Sequence, residues 1–236
     1  MNQIINIAPI GEVIFIRSKK AKKNISIKID SSGSVRVSYP YHINIREAKK
    51  LVNKKKDWIK KSKKKFQNHK TILNLVDGDI LQTLLTKFVI IRNTKELLVR
   101  EKNNTVCFHI PNSIKELEHH KIIIQKFIIE RLRNDAKKYI LPQLKLFSQE
   151  LKMYYNQVRI KNVKSRWGSC SIQNNLNFNL NLMLLSKDLI DYVILHELAH
   201  TVEKNHGKKF WLLLNKLTDN KARILDKHLN NFSIGF

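Results

Sequence analysis

The chain has 236 residues, 42% hydrophobic and 27% charged, with nine histidines and a formal net charge of +26. That composition supports one large or two small domains around a buried core and excludes a disordered polymer as the default. Its apolar runs stop short of the roughly 18 residues that a membrane span needs; the longest candidate, "KIIIQKFIIE", is interrupted by Gln125 and Lys126.

The first forty residues alternate with period two. "EVIFIR", "ISIKID" and "SVRVSY", separated by the turn-like "DSSGS", predict an antiparallel meander. Asn44 and Glu47 have capping-box spacing, and one long basic helix is expected after them. Its apolar stripe is Ala48, Leu51, Val52, Trp58, Ile59 and Phe66, with Lys54 to Lys56 and Lys60 to Lys65 mainly on the wet face. Four short strands follow "DGD" at 77–79: "ILQTLL", "FVIIR", "ELLVR" and "VCFHI". A composition shift at Pro111-Asn112-Ser113 suggests a division into residues 1–112 and 113–236. A helical pattern then runs to residue 155, with a break or kink expected at Pro142. A small β unit returns in "QVRIKNV", "RWGSCSI" and "NLNFNLNL", and helix resumes near Ser186, a good N-cap residue. No internal repeat or low-complexity linker is visible.

Two isolated cysteines, Cys107 and Cys170, give no disulfide framework, and "MNQIINIAPIGEVIF" does not look like a secretion signal. A reducing cytoplasm is the expected location. The positive charge predicts salt-sensitive attraction to nucleic acid or nucleotides, although lysine-rich coding composition gives the same total. No membrane association is expected, and the oligomeric state is open.

The chemistry is concentrated in "VILHELAHTVEKNHGKKFW". His196 and His200 are four apart, so both imidazoles lie on one helical face and can reach one ion. Glu197, about 100° round the helix, suits a base beside a metal-bound water. The third ligand comes from outside a straight helix. Glu203 is one candidate and His206 the better one, because Asn205 and Gly207 tolerate the left-handed backbone that would turn His206 back.

"SRWGSC", "NLNFNLNLML", "DYVILHELAH" and "NHGKKFW" together resemble the YgjP-like family of zinc-dependent metallopeptidases, related to the SprT-like and WLM proteases. The resemblance is strongest over residues 157–211. It implies an α+β, zincin-like catalytic half in which a mixed sheet packs on the active-site helix, preceded by a β-rich region. It also implies one Zn²⁺ held by His196, His200 and His206, with Glu197 as general base.

Other residues are weaker candidates for substrate binding or for supporting the site. Arg166 could hold a carboxylate or phosphate, or pair with Asp191. Ser169 could donate to an oxyanion, as could Tyr192. Asn179, placed with Asn177 and Asn181 on one face of a possible edge strand, could line a peptide groove or buttress the site. The expected activity is hydrolysis of peptide bonds in a peptide or protein substrate. Hydrolysis of nucleotides or other phosphoanhydrides, and a role as a nucleic-acid-associated protease or binding module, are the alternatives.

Overall fold

The β-branched runs at the start of the chain do form strands, but not a meander. The computed structural model describes all residues except 1, 20, 22, 30–32, 70–75, 113–116, 233, 235 and 236. Asp30 to Ser32 of the expected turn, Ser113 of the composition shift and the side chain of Phe66 thus lie outside the described residues. The chain divides into two units, Met1–Thr71 and Ile72–Phe236.

In the first unit, β1 (Asn2–Ile7), β2 (Gly11–Arg17), β3 (Ser26–Ile29) and β4 (Val35–Tyr39) form a sheet of order β1-β2-β4-β3. β4 lies between its predecessors and runs parallel to β2. Burial explains the insertion. Val13 and Phe15 on β2, and Val35 and Val37 on β4, are fully buried, so the two most apolar strands take the centre.

The expected long helix is two helices, α1 (Ile45–Lys54) and α2 (Lys56–His69). They part at Lys55, whose N–H is shared between the carbonyls of Leu51 and Val52. Asn44 caps α1 by accepting from the Arg46 N–H at 3.0 Å. Ala48 and Val52 of α1 and Ile59 of α2 form the buried line of the pair. Trp58, expected in that line, is 50% exposed because it lies about 100° away from Ile59.

The second unit opens with the same path. β5 (Ile80–Gln82), β6 (Lys87–Thr94), β7 (Leu98–Lys102) and β8 (Thr105–Pro111) have the order β5-β6-β8-β7, again with the second and fourth strands parallel and the outer pairings antiparallel. The registers also correspond. Val13↔Val35, Phe15↔Val37 and Arg17↔Tyr39 in the first sheet match Phe88↔Val106, Ile90↔Phe108 and Arg92↔Ile110 in the second. Both central parallel strands end at a proline, Pro40 just past β4 and Pro111 within β8, and helix follows each. The repeat is one of topology and burial, carried by different side chains, which is why the sequence does not display it.

α3 (Leu117–Glu150) runs through Pro142 without a break. Ile140 and Leu144 on either side of the proline are fully buried, and this packing outweighs one missing hydrogen bond. The division expected near residue 112 does not coincide with that between the two units. Phe88, Ile90, Val106, Phe108 and Ile110 share one core with Ile124, Ile128 and Leu132 of α3, so apolar burial joins sheet to helix across that point.

β9 (Val158–Lys161), β10 (Gly168–Cys170) and β11 (Leu176–Asn179) form a mixed sheet of order β10-β11-β9. The chain then makes a 3-10 turn over Leu180–Leu184 and enters α4 (Lys187–Ala199), α5 (Lys208–Leu217) and α6 (Ala222–Leu229). β10 and β11 lie against α4, the arrangement expected for an α+β metallopeptidase half. No helix among the described residues is long and apolar enough to cross a membrane.

Candidate metal centre

α4 is apolar on nearly every side: Leu189, Ile190, Val193, Ile194, Leu198 and Ala199 are all buried. A helix so enclosed fixes its few polar side chains firmly. His196 and His200 project from one face, and His200 is also the C-cap residue, so the helix ends on the second histidine of the group. The chain turns through residues 201–206, and Gly207 becomes the N-cap of α5. The turn differs from expectation. Neither Asn205 nor Gly207 has left-handed backbone; Gly207 is extended, with φ −74° and ψ −175°.

This path brings His206 back over the helix end. Its Nε2 lies 3.0 Å from Nε2 of His196 and 3.2 Å from Nε2 of His200. A single proton can join two of these nitrogens, whereas a cation can join all three. Ligands on a tetrahedral zinc with bonds of 2.0–2.1 Å lie about 3.3 Å apart, close to the spacings found. The side chain of Glu203 does not join the group; its backbone carbonyl accepts from Nδ1 of His200 at 2.9 Å. That bond assigns the His200 proton to Nδ1 and leaves the Nε2 lone pair toward the cluster. Burial and the neighbouring histidines push the His196 pKa down to about 3, and burial lowers that of His200. Both are therefore held neutral, as metal ligation requires.

The floor beneath the histidines is Phe210, fully buried on α5. Its ring stacks on His200 with centroids 4.4 Å apart and meets His196 and His206 edge-on at 5.0 and 4.7 Å. Phe210 stands three residues after Gly207, and that position is the signal for it in the sequence.

Glu197 is 6% exposed, and burial pushes its pKa up to about 8 while the Arg166 charge pulls it down. Its side chain lies under Gly168 of β10. A Cβ built on Gly168 would fall 2.6 Å from both Cγ and Oε1 of Glu197.

The weaker candidates separate. Arg166 is exposed and electrostatically coupled to Glu197. It does not pair with Asp191, which accepts from Tyr139 of α3 at 2.8 Å and from Lys187 at 2.7 Å, tying α3 to α4 away from the histidines. Tyr192 packs against His196 at 5.8 Å between centroids, but its hydroxyl is directed to Asp226 of α6 at 3.4 Å. Ser169 follows Gly168 on β10 and so takes the strand face opposite Glu197, where its hydroxyl accepts from Asn177 at 3.1 Å.

Asn179 is a brace. Its amide donates to the carbonyls of Val163 and Arg166 at 2.6 and 3.0 Å, and its oxygen accepts from the Asn181 N–H at 3.1 Å. β11 is the central strand of its sheet, and Asn181 has already left it for the 3-10 turn. The free edge beside α4 belongs to β10 instead. Near it, Lys204 of the metal-side turn donates to the Ser171 carbonyl at 3.0 Å and to the Asn174 side chain, with Cys170 Sγ at 3.8 Å.

A family model described as "YgjP-like, metallopeptidase domain" matches residues 23–232. Among solved structures, the metallopeptidase zymogen of Pyrococcus abyssi abylysin is 19% identical, with a TM-score of 0.36 over 41% of this chain and 99% of that one. The metallopeptidase zymogen of Methanocaldococcus jannaschii jannalysin is 26% identical, with a TM-score of 0.32 over 38% of this chain and 96% of that one. No curated protein matches the chain.

Proposed function

The chain belongs to the YgjP-like metallopeptidase family, and we propose that it hydrolyses peptide bonds with one zinc ion held by His196, His200 and His206 and with Glu197 as general base. The observation that carries this reading is the convergence of three imidazole nitrogens beside a buried carboxylate. Three protein ligands with one open position suit catalysis, whereas a structural zinc site closes with four, often including cysteine. When bound, zinc supplies a Lewis acid for the scissile carbonyl and lowers the pKa of water to near neutrality.

Glu197 takes a proton from the attacking water and returns it to the departing amine nitrogen as the C–N bond breaks. Arg166 adds positive charge at the mouth, where negative charge builds during attack or a substrate carboxylate binds. The Tyr192 hydroxyl is directed to Asp226 and Ser169 lies on the strand face opposite Glu197, which leaves Arg166 as the charge-stabilising side chain of the group. The outer edge of β10 offers main-chain hydrogen bonds to an extended peptide.

Metal analysis and one substitution test the reading together. Protein prepared with zinc is expected to carry one ion per chain, and the His206→Ala variant far less. Glu197→Gln should keep its zinc and lose roughly 10²- to 10⁴-fold in casein hydrolysis. Wild-type protein that takes up no zinc, or a Glu197→Gln variant working at the wild-type rate, overturns it.

A further inference from the structure

The positive charge is not spread evenly. Residues 1–71 contain 19 Lys and Arg against four Asp and Glu, so this first unit carries +15 of the total +26. Lysine-rich coding composition alone would load both units alike. The same unit holds an open groove of about 270 Å³ lined by Ile25, Ile27, Leu51, Lys55 and Trp58. Trp58 is half exposed at this groove, although an indole is among the costliest side chains to leave in water. Lys54, the last residue of α1, and Lys61, one turn on from Trp58 along α2, are both exposed.

We propose that the first unit binds single-stranded nucleic acid, with one base stacked on Trp58 in the groove and the backbone phosphates on Lys54, Lys55 and Lys61. An aromatic ring recessed among apolar side chains and bordered by cations is how sequence-tolerant single-strand sites are built. A lipid surface fits less well. The apolar face of α1 and α2, carrying Ala48, Val52 and Ile59, is turned into the core, so the helices cannot lay it in a bilayer. An acidic peptide satisfies the charge but offers no planar ring. The inference is independent of the zinc reading, and EDTA should leave the binding unchanged.

The test uses the full chain and a fluorescent 15-nucleotide oligo-dT, followed by anisotropy across a salt series. The oligonucleotide is expected to bind more tightly than a 15-base-pair duplex and to quench tryptophan emission. Trp58→Leu should abolish that quench and weaken binding about tenfold or more, the scale of one lost base stack, while Trp58→Phe retains most of the affinity. Changing Lys54, Lys55 and Lys61 to Gln should lower the slope of log K against log salt by about two, at roughly 0.7 per phosphate contact. Casein hydrolysis should be the same in all variants, which also reports that they fold. Equal binding of duplex, equal quenching by polyglutamate, binding only to phosphatidylserine vesicles, or a Phe variant as weak as the Leu variant would each overturn the proposal.

Discussion

Gly168 and Glu197 occupy space that admits no additional carbon between them. The missing Cβ would lie 2.6 Å from the Glu197 carboxylate oxygen and methylene and 2.8 Å from its carboxyl carbon. β10 thus approaches the proposed general base to a distance that only glycine allows. Gly168→Ala must move either the strand or the carboxylate. A shift of about 1 Å in a catalytic group costs on the order of 10² in rate. The expected outcome is a kcat lower by about that factor, little change in KM, and an unchanged zinc content because the three histidines are untouched. Steady-state kinetics with metal analysis on the same preparation checks it; wild-type kcat would show that the contact does not position Glu197.

Phe210 supports all three histidines at once, so its loss should be felt in metal affinity as well as stability. Phe210→Ala removes a fully buried ring and is expected to cost about 3–5 kcal/mol. Phe210→Leu keeps the apolar volume but not the flat surface on which His200 stacks. It is expected to fold, with a smaller thermal stabilisation on zinc addition than the wild type shows. Melting curves with zinc and with EDTA measure this, and an equal zinc-induced shift in both proteins would contradict it.

The histidines were legible in the sequence because ligand spacing on a helix is local: four residues make one turn, whatever surrounds them. The role of Gly168 is not local, since its partner lies 29 positions away in the chain and is chosen by the packing of β10 on α4. The strand order of the first sheet is hidden for a similar reason. Period-two alternation identifies strands, but the place of β4 beside β2 is set by which strands are most apolar, and adjacent runs in sequence suggest hairpins by default. Asn177, Asn179 and Asn181 alternate as a strand would. Yet the Asn179 side chain caps the next turn, and burial of Leu180, Leu182 and Met183 winds the chain out of the sheet.

Away from the candidate metal centre, a buried polar network braces the second unit. Asp135 of α3 accepts from Thr86 at 2.7 Å and from Arg131 at 3.2 Å, and Arg131 also reaches Glu101 of β7 at 2.6 Å. Thr86 belongs to the turn between β5 and β6, so the network fastens helix to sheet. Asp135→Ala leaves the Arg131 guanidinium with the exposed Glu101 as its remaining carboxylate and the Thr86 hydroxyl beside it, and leaves that hydroxyl without its acceptor. The expected loss is about 3–5 kcal/mol by urea unfolding, with the activity of the remaining folded protein unchanged. Replacing Asp135 and Arg131 together by apolar residues should cost less than Asp135→Ala alone.

Tyr139 ties α3 to α4 through Asp191 and gives the fold an alkaline limit. Burial first, and then Asp191, push its pKa from 10.0 up to about 12. The unfolded chain loses this proton near pH 10, and the folded protein keeps it until about pH 12. The contribution of Tyr139 to stability is therefore complete below pH 10 and disappears as pH rises from 10 to 12. Tyr139→Phe, which has no phenol to ionise, should lose less stability than the wild type over that interval, although it starts lower for want of the hydrogen bond to Asp191. Asp191→Asn should make the decline smaller and end it at a lower pH, because without the carboxylate charge the folded phenol ionises closer to the unfolded value of 10.0. Urea unfolding at intervals between pH 8 and 12 resolves all three curves, and parallel curves for wild type and Tyr139→Phe would refute the assignment.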